Sequence, residues 1–387
     1  MLASVLKLNV KVTKVLHSGY NVPDPLPWAA LVGPLAAAED AVARLDERLA
    51  KSPIREGWIA RTHFSDACAT LWLEGELVHL EDLVLHDARM DVRTPTHELT
   101  RAHTVLRVRR RIAAADPDWA LSPSGLASLR GIRASTDTEE GRGVEDAYVD
   151  DRGEDDAGAG SVPMGDGFDE LFEAVDAAIA NADRTLAGDA SRRRDERDPL
   201  VYDLDWDEDA RLADWRVVQE RTRAFPPTLA AAIAAHAWSQ IMPLQHTPWL
   251  GRLLAASLLR ARGKTRSHLG CLFEGLKAIP REHRHPRDEA GQLRVELEAI
   301  TAMAEAGQKN HDRWLTAHTL LARKLNGRRS TSHLPSLLEF AVSRPVMSAG
   351  MIAEELGITP RAAQSLVSEL GLREATGRRS YRAWGIL

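Results

Sequence analysis

Ser348-Ala-Gly-Met-Ile-Ala-Glu-Glu-Leu-Gly-Ile-Thr-Pro-Arg-Ala-Ala-Gln-Ser-Leu-Val-Ser-Glu-Leu-Gly371 predicts two short helices joined by a tight turn. Ser348 and Thr359 stand where a hydroxyl can accept an otherwise orphaned backbone N–H at the start of each helix. Pro360 follows at the first helical position, where its missing donor costs nothing. Gly357 supplies the left-handed conformation at the bend, and Gly371 ends the second helix in the same way. Ala353 and Ala363 are small enough for a close crossing. Ile352, Leu356, Ile358, Leu366, Val367 and Leu370 supply a shared core. This is a helix-turn-helix pattern, whose second helix reads the DNA major groove.

The following stretch, Leu372 to Trp384, reads as strand, glycine-containing turn and strand, which makes a wing. Arg378 and Arg379 fall at its tip, with Tyr381 and Arg382 on the returning strand and Trp384 placed to pack the wing onto the helices. From Ala341 onward there are six arginines and four glutamates, in a chain whose net charge is −6. Positive charge is thus gathered where phosphates would lie, and any nucleic-acid contact must be local. On the second helix, Arg361, Gln364, Ser365 and Ser368 lie opposite Leu366 and Leu370. Arg361 and Gln364 are the expected base readers, since Arg pairs with guanine and Gln with adenine. Thr359, Arg378, Arg379, Tyr381 and Arg382 are expected near the backbone or in the minor groove.

The 387 residues allow two or three domains, and 44% hydrophobic with 27% charged residues is an ordinary globular composition. No run of eighteen apolar residues occurs, so no membrane partner is expected. Met1 to Val12 lacks the apolar core and cleavage site of a signal peptide. Cys68 and Cys271 each sit in an apolar helical pattern and read as reduced core residues of a cytoplasmic protein.

The expected architecture is mainly α, a helical body followed by a small winged helix-turn-helix. Residues 1–132 form an N-terminal helical region, with helices over Leu35–Leu49, Trp58–Leu73 and Thr96–Ile112. Arg107, Arg109, Arg110 and Arg111 on the third are expected on a solvated face near its C-terminus. Residues 133–165 are strongly acidic, with ten acidic and two basic side chains between Ser135 and Gly160, and are expected to be a disordered insertion. A helical core follows over 166–326 and packs with 58–115. It begins with a helix at Phe168–Ile179 and a basic loop at Arg192–Arg194. Its central helix is Pro227–Ile241, and its longest is Asp288–Lys324. A hinge at 326–332 leads to the winged helix at 333–387.

Two motifs in the body carry a resemblance. Ile241-Met-Pro-Leu-Gln-His-Thr-Pro-Trp-Leu-Gly-Arg-Leu-Leu254 is similar to the loop of the Fic family, whose members transfer AMP to protein hydroxyls. Thr70-Leu-Trp-Leu-Glu-Gly75 is similar to that family's inhibitory helix. The resemblance implies a Fic-like helical bundle over roughly 58–325. It also places Met242 at the position of the catalytic base, where a thioether takes no proton. His246 replaces a metal-binding carboxylate, and Pro248 removes an N–H from the phosphate cradle. Carried over, the family's Glu–Arg pair is Glu74 with Arg252, a structural pair. The chain is also similar to a bacterial family defined by a domain of unknown function followed by a helix-turn-helix domain.

Other clusters are weaker. His283 and His285 lie in a polar stretch. His79 and His86 with Glu81 and Asp82 offer a slight metal hint, but neither group has full ligand spacing. No catalytic residue, cofactor or metal is expected. The expected function is regulation of transcription by a winged helix on a non-catalytic Fic-like scaffold, with double-stranded DNA as partner and a homodimer on a two-part site. The alternatives are an AMP-transferring enzyme using His246, and a protein-interaction scaffold.

Overall fold

The computed structural model describes residues 19–91, 94–130, 206–325, 332–376 and 382–386. The acidic stretch 133–165, the helix at 168–179, Arg192–Arg194, residues 326–331 of the hinge, and Arg378, Arg379 and Tyr381 lie outside them. Apart from Trp206 and Asp207, the described residues belong to one unit formed by Met1–Gly131 and Glu208–Leu387.

The body is helical: α1 (Trp28–Ala50), α2 (Arg55–Leu73), α3 (Leu80–Asp87), α4 (His97–Ala114), α5 (Glu208–Arg221), α6 (Pro227–Ile241), α7 (Leu250–Ala261), α8 (Leu272–Ala278) and α9 (Glu289–Arg323). Residues 123–130 are also helical. None of the described helices is long and apolar enough to cross a membrane.

The sequence pattern explains the packing. In α1, Leu31, Ala38, Val42, Leu45 and Leu49 are fully buried at helical spacing and face α9. The α9 helix has 35 residues, about 50 Å at 1.5 Å per residue, and starts where Asp288 accepts from Gly291 N at 2.8 Å. The α6 helix is apolar on nearly every side, and twelve of its fifteen residues are buried. Gly251 lets α7 cross it against the Trp238 ring, and Gly275 brings α8 against the backbone of α9 at Ala299. Any side chain at either position would collide.

The arginines of α4 are not a solvated face. Arg109 is fully buried in an ion pair with Asp66 of α2, itself fully buried. Asp66 also accepts from Glu274 N at 2.9 Å at the start of α8, so one carboxylate joins three helices. Arg110 holds Asp87 with two bonds of 2.6 and 2.9 Å and lies over Phe64. Arg111 bonds Ser128 Oγ at 2.6 Å and lies over Trp119. Only Arg107 of the four is exposed. The carboxylates of α2 and α3 lie beyond the reach of a local sequence pattern, and they draw Arg109 and Arg110 inward.

The winged helix comprises α10 (Leu334–Ser343), β1 (Met347–Ser348), α11 (Ala349–Leu356), α12 (Pro360–Leu370), β2 (Arg373–Glu374) and β3 (Ala383–Gly385). The strands form an antiparallel sheet in the order β1-β3-β2, with Met347 opposite Trp384 and Glu374 opposite Trp384 on the other side. The sequence shows the second and third strands. The first has two residues, too few to display alternation.

Candidate nucleic-acid interface

Each local feature of the helix-turn-helix takes its expected place. Ser348 Oγ accepts from Met351 N and Thr359 Oγ1 accepts from Ala362 N, both at 3.2 Å. Gly357 has φ +62° and Gly371 φ +75°, a region open to glycine at little cost. Ile352, Ala353, Ala363, Val367 and Leu370 are buried, whereas Leu356, Ile358 and Leu366 are partly covered. Trp384 is 7% exposed and closes the sheet over this core.

The polar side of α12 faces outward. Thr359, Arg361, Gln364, Ser365 and Ser368 are all exposed. The C-terminal end of α12 is anchored to the body, where Lys324 Nζ donates to Leu370 O at 2.8 Å. The helix's N-terminal end, the end that meets bases in such motifs, is therefore the one left open.

Arg382 departs from the expected role. Its guanidinium donates to Glu374 across the wing, with Nε at 2.8 Å from the carboxylate, and lies 5.6 Å from the Trp384 ring centre. Glu374 stands opposite Trp384, two residues on from Arg382, so a diagonal cross-strand pair competes with phosphate for this cation. Arg373, exposed on β2, was not singled out by the sequence pattern.

The winged helix is held by a seam of buried polar contacts. Arg61 of α2, 6% exposed, donates through Nη2 to Ile386 O at 2.6 Å and Pro345 O at 3.2 Å. Its guanidinium lies 4.6 Å from the Trp314 ring centre of α9. Burial, then Arg313, pulls the Arg61 pKa down to about 9. Beside it, Gly57 allows α2 to touch Val342 of α10.

At the other end of α2 and α9 the body opens into a cleft of about 770 Å³. Trp72, Trp249, Phe273, Arg252 and Glu296 line it, with Met242 at its mouth in a left-handed conformation, φ +46°. The structure does not join Glu74 to Arg252. Arg252 bonds Glu296 of α9 at 2.6 Å, and Glu74 is held with Glu76 by Arg101 of α4. Nearer opposite charges satisfy both groups, although both line the same cleft.

Two family models match parts of the chain. Residues 200–326 match a family described as "Protein of unknown function (DUF1612)", and residues 334–387 match one described as "HTH DNA binding domain". The "Uncharacterized protein y4cF" of Sinorhizobium fredii is 48% identical over 371 residues, covering 92% of this chain and 97% of that protein. The chain belongs to that protein's family.

The histidines weighed as metal ligands are engaged or exposed. His86 Nδ1 lies 3.0 Å from the Asp91 carboxylate, and His79 precedes the first turn of α3. His283 and His285 are exposed. Among the described residues no group of three or more His, Cys, Asp or Glu side chains is arranged to hold a metal ion. Cys271 is buried, Cys68 is partly covered, and both are free thiols.

Proposed function

We propose that this protein is a sequence-specific DNA-binding regulator that reads the major groove with α12. The observation that carries the reading is the exposed row Arg361, Gln364, Ser365 and Ser368 on a capped second helix whose apolar side is buried. Arg361 and Gln364 meet base edges, Thr359 and the helix N-terminus approach a phosphate, and the wing arginines flank them. One such module covers few base pairs, so the protein acts as a homodimer on a two-part site. It works in the cytoplasm.

In this reading the body is a carrier without catalytic chemistry. The Fic-like loop supports that view through Met242, 48% exposed at the position where a base would be needed. The test is fluorescence anisotropy on sheared chromosomal duplex and on selected sites. Arg361→Ala should weaken specific binding by about 1–3 kcal/mol, and Gln364→Ala should change which base is preferred. Equal affinity and unchanged preference in both variants would exclude α12 as the reader.

A further inference from the structure

The cleft opens at the end of α2 and α9 away from the Arg61 seam, and its lining is chemically uneven. One wall is aromatic and apolar: Trp249, Phe273 and Leu276, with Trp72 still 38% exposed and Met242 beside it. Such a wall, in a cleft of this volume, suits a small flat ligand.

The charges are also sorted. Glu74 and Glu76 share Arg101 and Glu296 pairs with Arg252, which leaves Glu76 Oε2 buried without a hydrogen-bond partner. Two further cations, Arg281 and Arg284, line the cleft, and Lys277 stands beside it at Trp72. Lys277 and Arg284 lie over the Trp72 ring at 5.0 and 4.8 Å from its centre. Arg284 spends its hydrogen bonds on three backbone carbonyls, those of Leu276, Lys277 and Ile279. Among the described residues none of these three cations has a carboxylate at ion-pair distance. The rim is therefore short of negative charge.

Deeper in, two donors lack acceptors. Trp238 Nε1 and Arg252 Nε are buried without a hydrogen-bond partner, and both residues line the cleft. Neither group can accept, so each calls for an oxygen or similar acceptor, supplied by an ordered water or by a ligand. His236 beside them is held neutral at pH 7, its pKa drawn down to about 4 by burial and then by Arg252.

We propose that this cleft binds a small aromatic carboxylate, its ring against Trp72 and the aromatic wall and its oxygens toward the unmet donors and the cationic rim. A phosphate chain fits less well. The loop between α6 and α7 carries Pro243 and Pro248, which have no N–H to offer, so its backbone makes a poor phosphate cradle. This assignment does not depend on DNA binding.

The test is titration calorimetry on the full chain with 2-naphthoate, its neutral isostere 2-naphthamide, and AMP. Saturable one-to-one binding of 2-naphthoate is expected, at least about tenfold tighter than the amide. Trp72→Ala and the double variant Lys277→Gln/Arg281→Gln should each weaken it by about tenfold or more, while keeping the parent's circular dichroism and Tm. Lys277 and Arg281 are exposed, so the double variant separates loss of the site from loss of the fold. Absence of saturation, equal binding of the amide, unchanged affinity in well-folded variants, or tighter binding of AMP would each overturn the assignment.

Discussion

Replacing Arg61 with alanine should loosen the winged helix from the body. The side chain bonds two carbonyls of the reader, Ile386 O at 2.6 Å and Pro345 O at 3.2 Å, and lies over Trp314. Hydrogen bonds from a charged donor contribute about 1.5–3 kcal/mol each, and a desolvated cation–π contact up to about 2 kcal/mol. Against this stands the cost of burying the guanidinium, visible in its lowered pKa of about 9. The net loss at the seam is then about 2–4 kcal/mol, after discounting for that cost. Arg61→Met, which fills the space without a buried charge, should lose less. The assay is urea unfolding followed by tryptophan fluorescence, with hydrogen exchange at residues 346–348 and 383–386. Faster exchange confined to the reader at low urea is expected. Unchanged exchange with a stability loss below about 0.5 kcal/mol would refute the view that Arg61 ties the two parts together.

Arg109→Met should be more damaging than the loss of any exposed arginine, because it strands the buried Asp66 carboxylate; about 3–5 kcal/mol is expected in equilibrium unfolding, with the double variant Asp66→Leu/Arg109→Met recovering part of it. Recovery by the double variant is limited, since Asp66 also accepts from Glu274 N. The contribution of three buried histidines to stability should fall on acidification, against the opposite contribution of Glu274, whose pKa burial raises to about 7. Burial draws the pKa of His63 well below its ordinary 6.5, and those of His236 and His268 to about 4. The unfolded chain takes up protons below pH 6.5 while the folded chain does not, so the contribution is full above that pH and is lost as pH drops toward 4. Thermal unfolding between pH 8 and 4 checks this, and His268→Gln should flatten the slope.

The reader was legible because its signals are local. Ser348, Gly357, Thr359, Pro360 and Gly371 each declare themselves within one turn of the residue they act on, and the structure places each as read. The central helices were legible for a related reason: α6 and α9 carry their apolar pattern over many turns. Charge pairing was not legible. Arg109 reaches a carboxylate 43 residues away, Arg101 one 27 away and Arg252 one 44 away, and no periodicity announces such partners. The Glu74–Arg252 pair failed because a likeness in two motifs did not reveal that each residue has a closer partner. Trp72 shows the same limit, since an apolar helix predicts burial but not which tryptophan is left facing a cleft.

The central claim is that α12 reads a DNA sequence. Selection from a random duplex library with the purified full chain tests it most directly. The account predicts enrichment of one motif in two copies about 10 base pairs apart, with a changed base preference when the selection is repeated with Gln364→Ala. A library that emerges with no enriched motif, or the same motif from the parent and the Gln364→Ala variant, would contradict it.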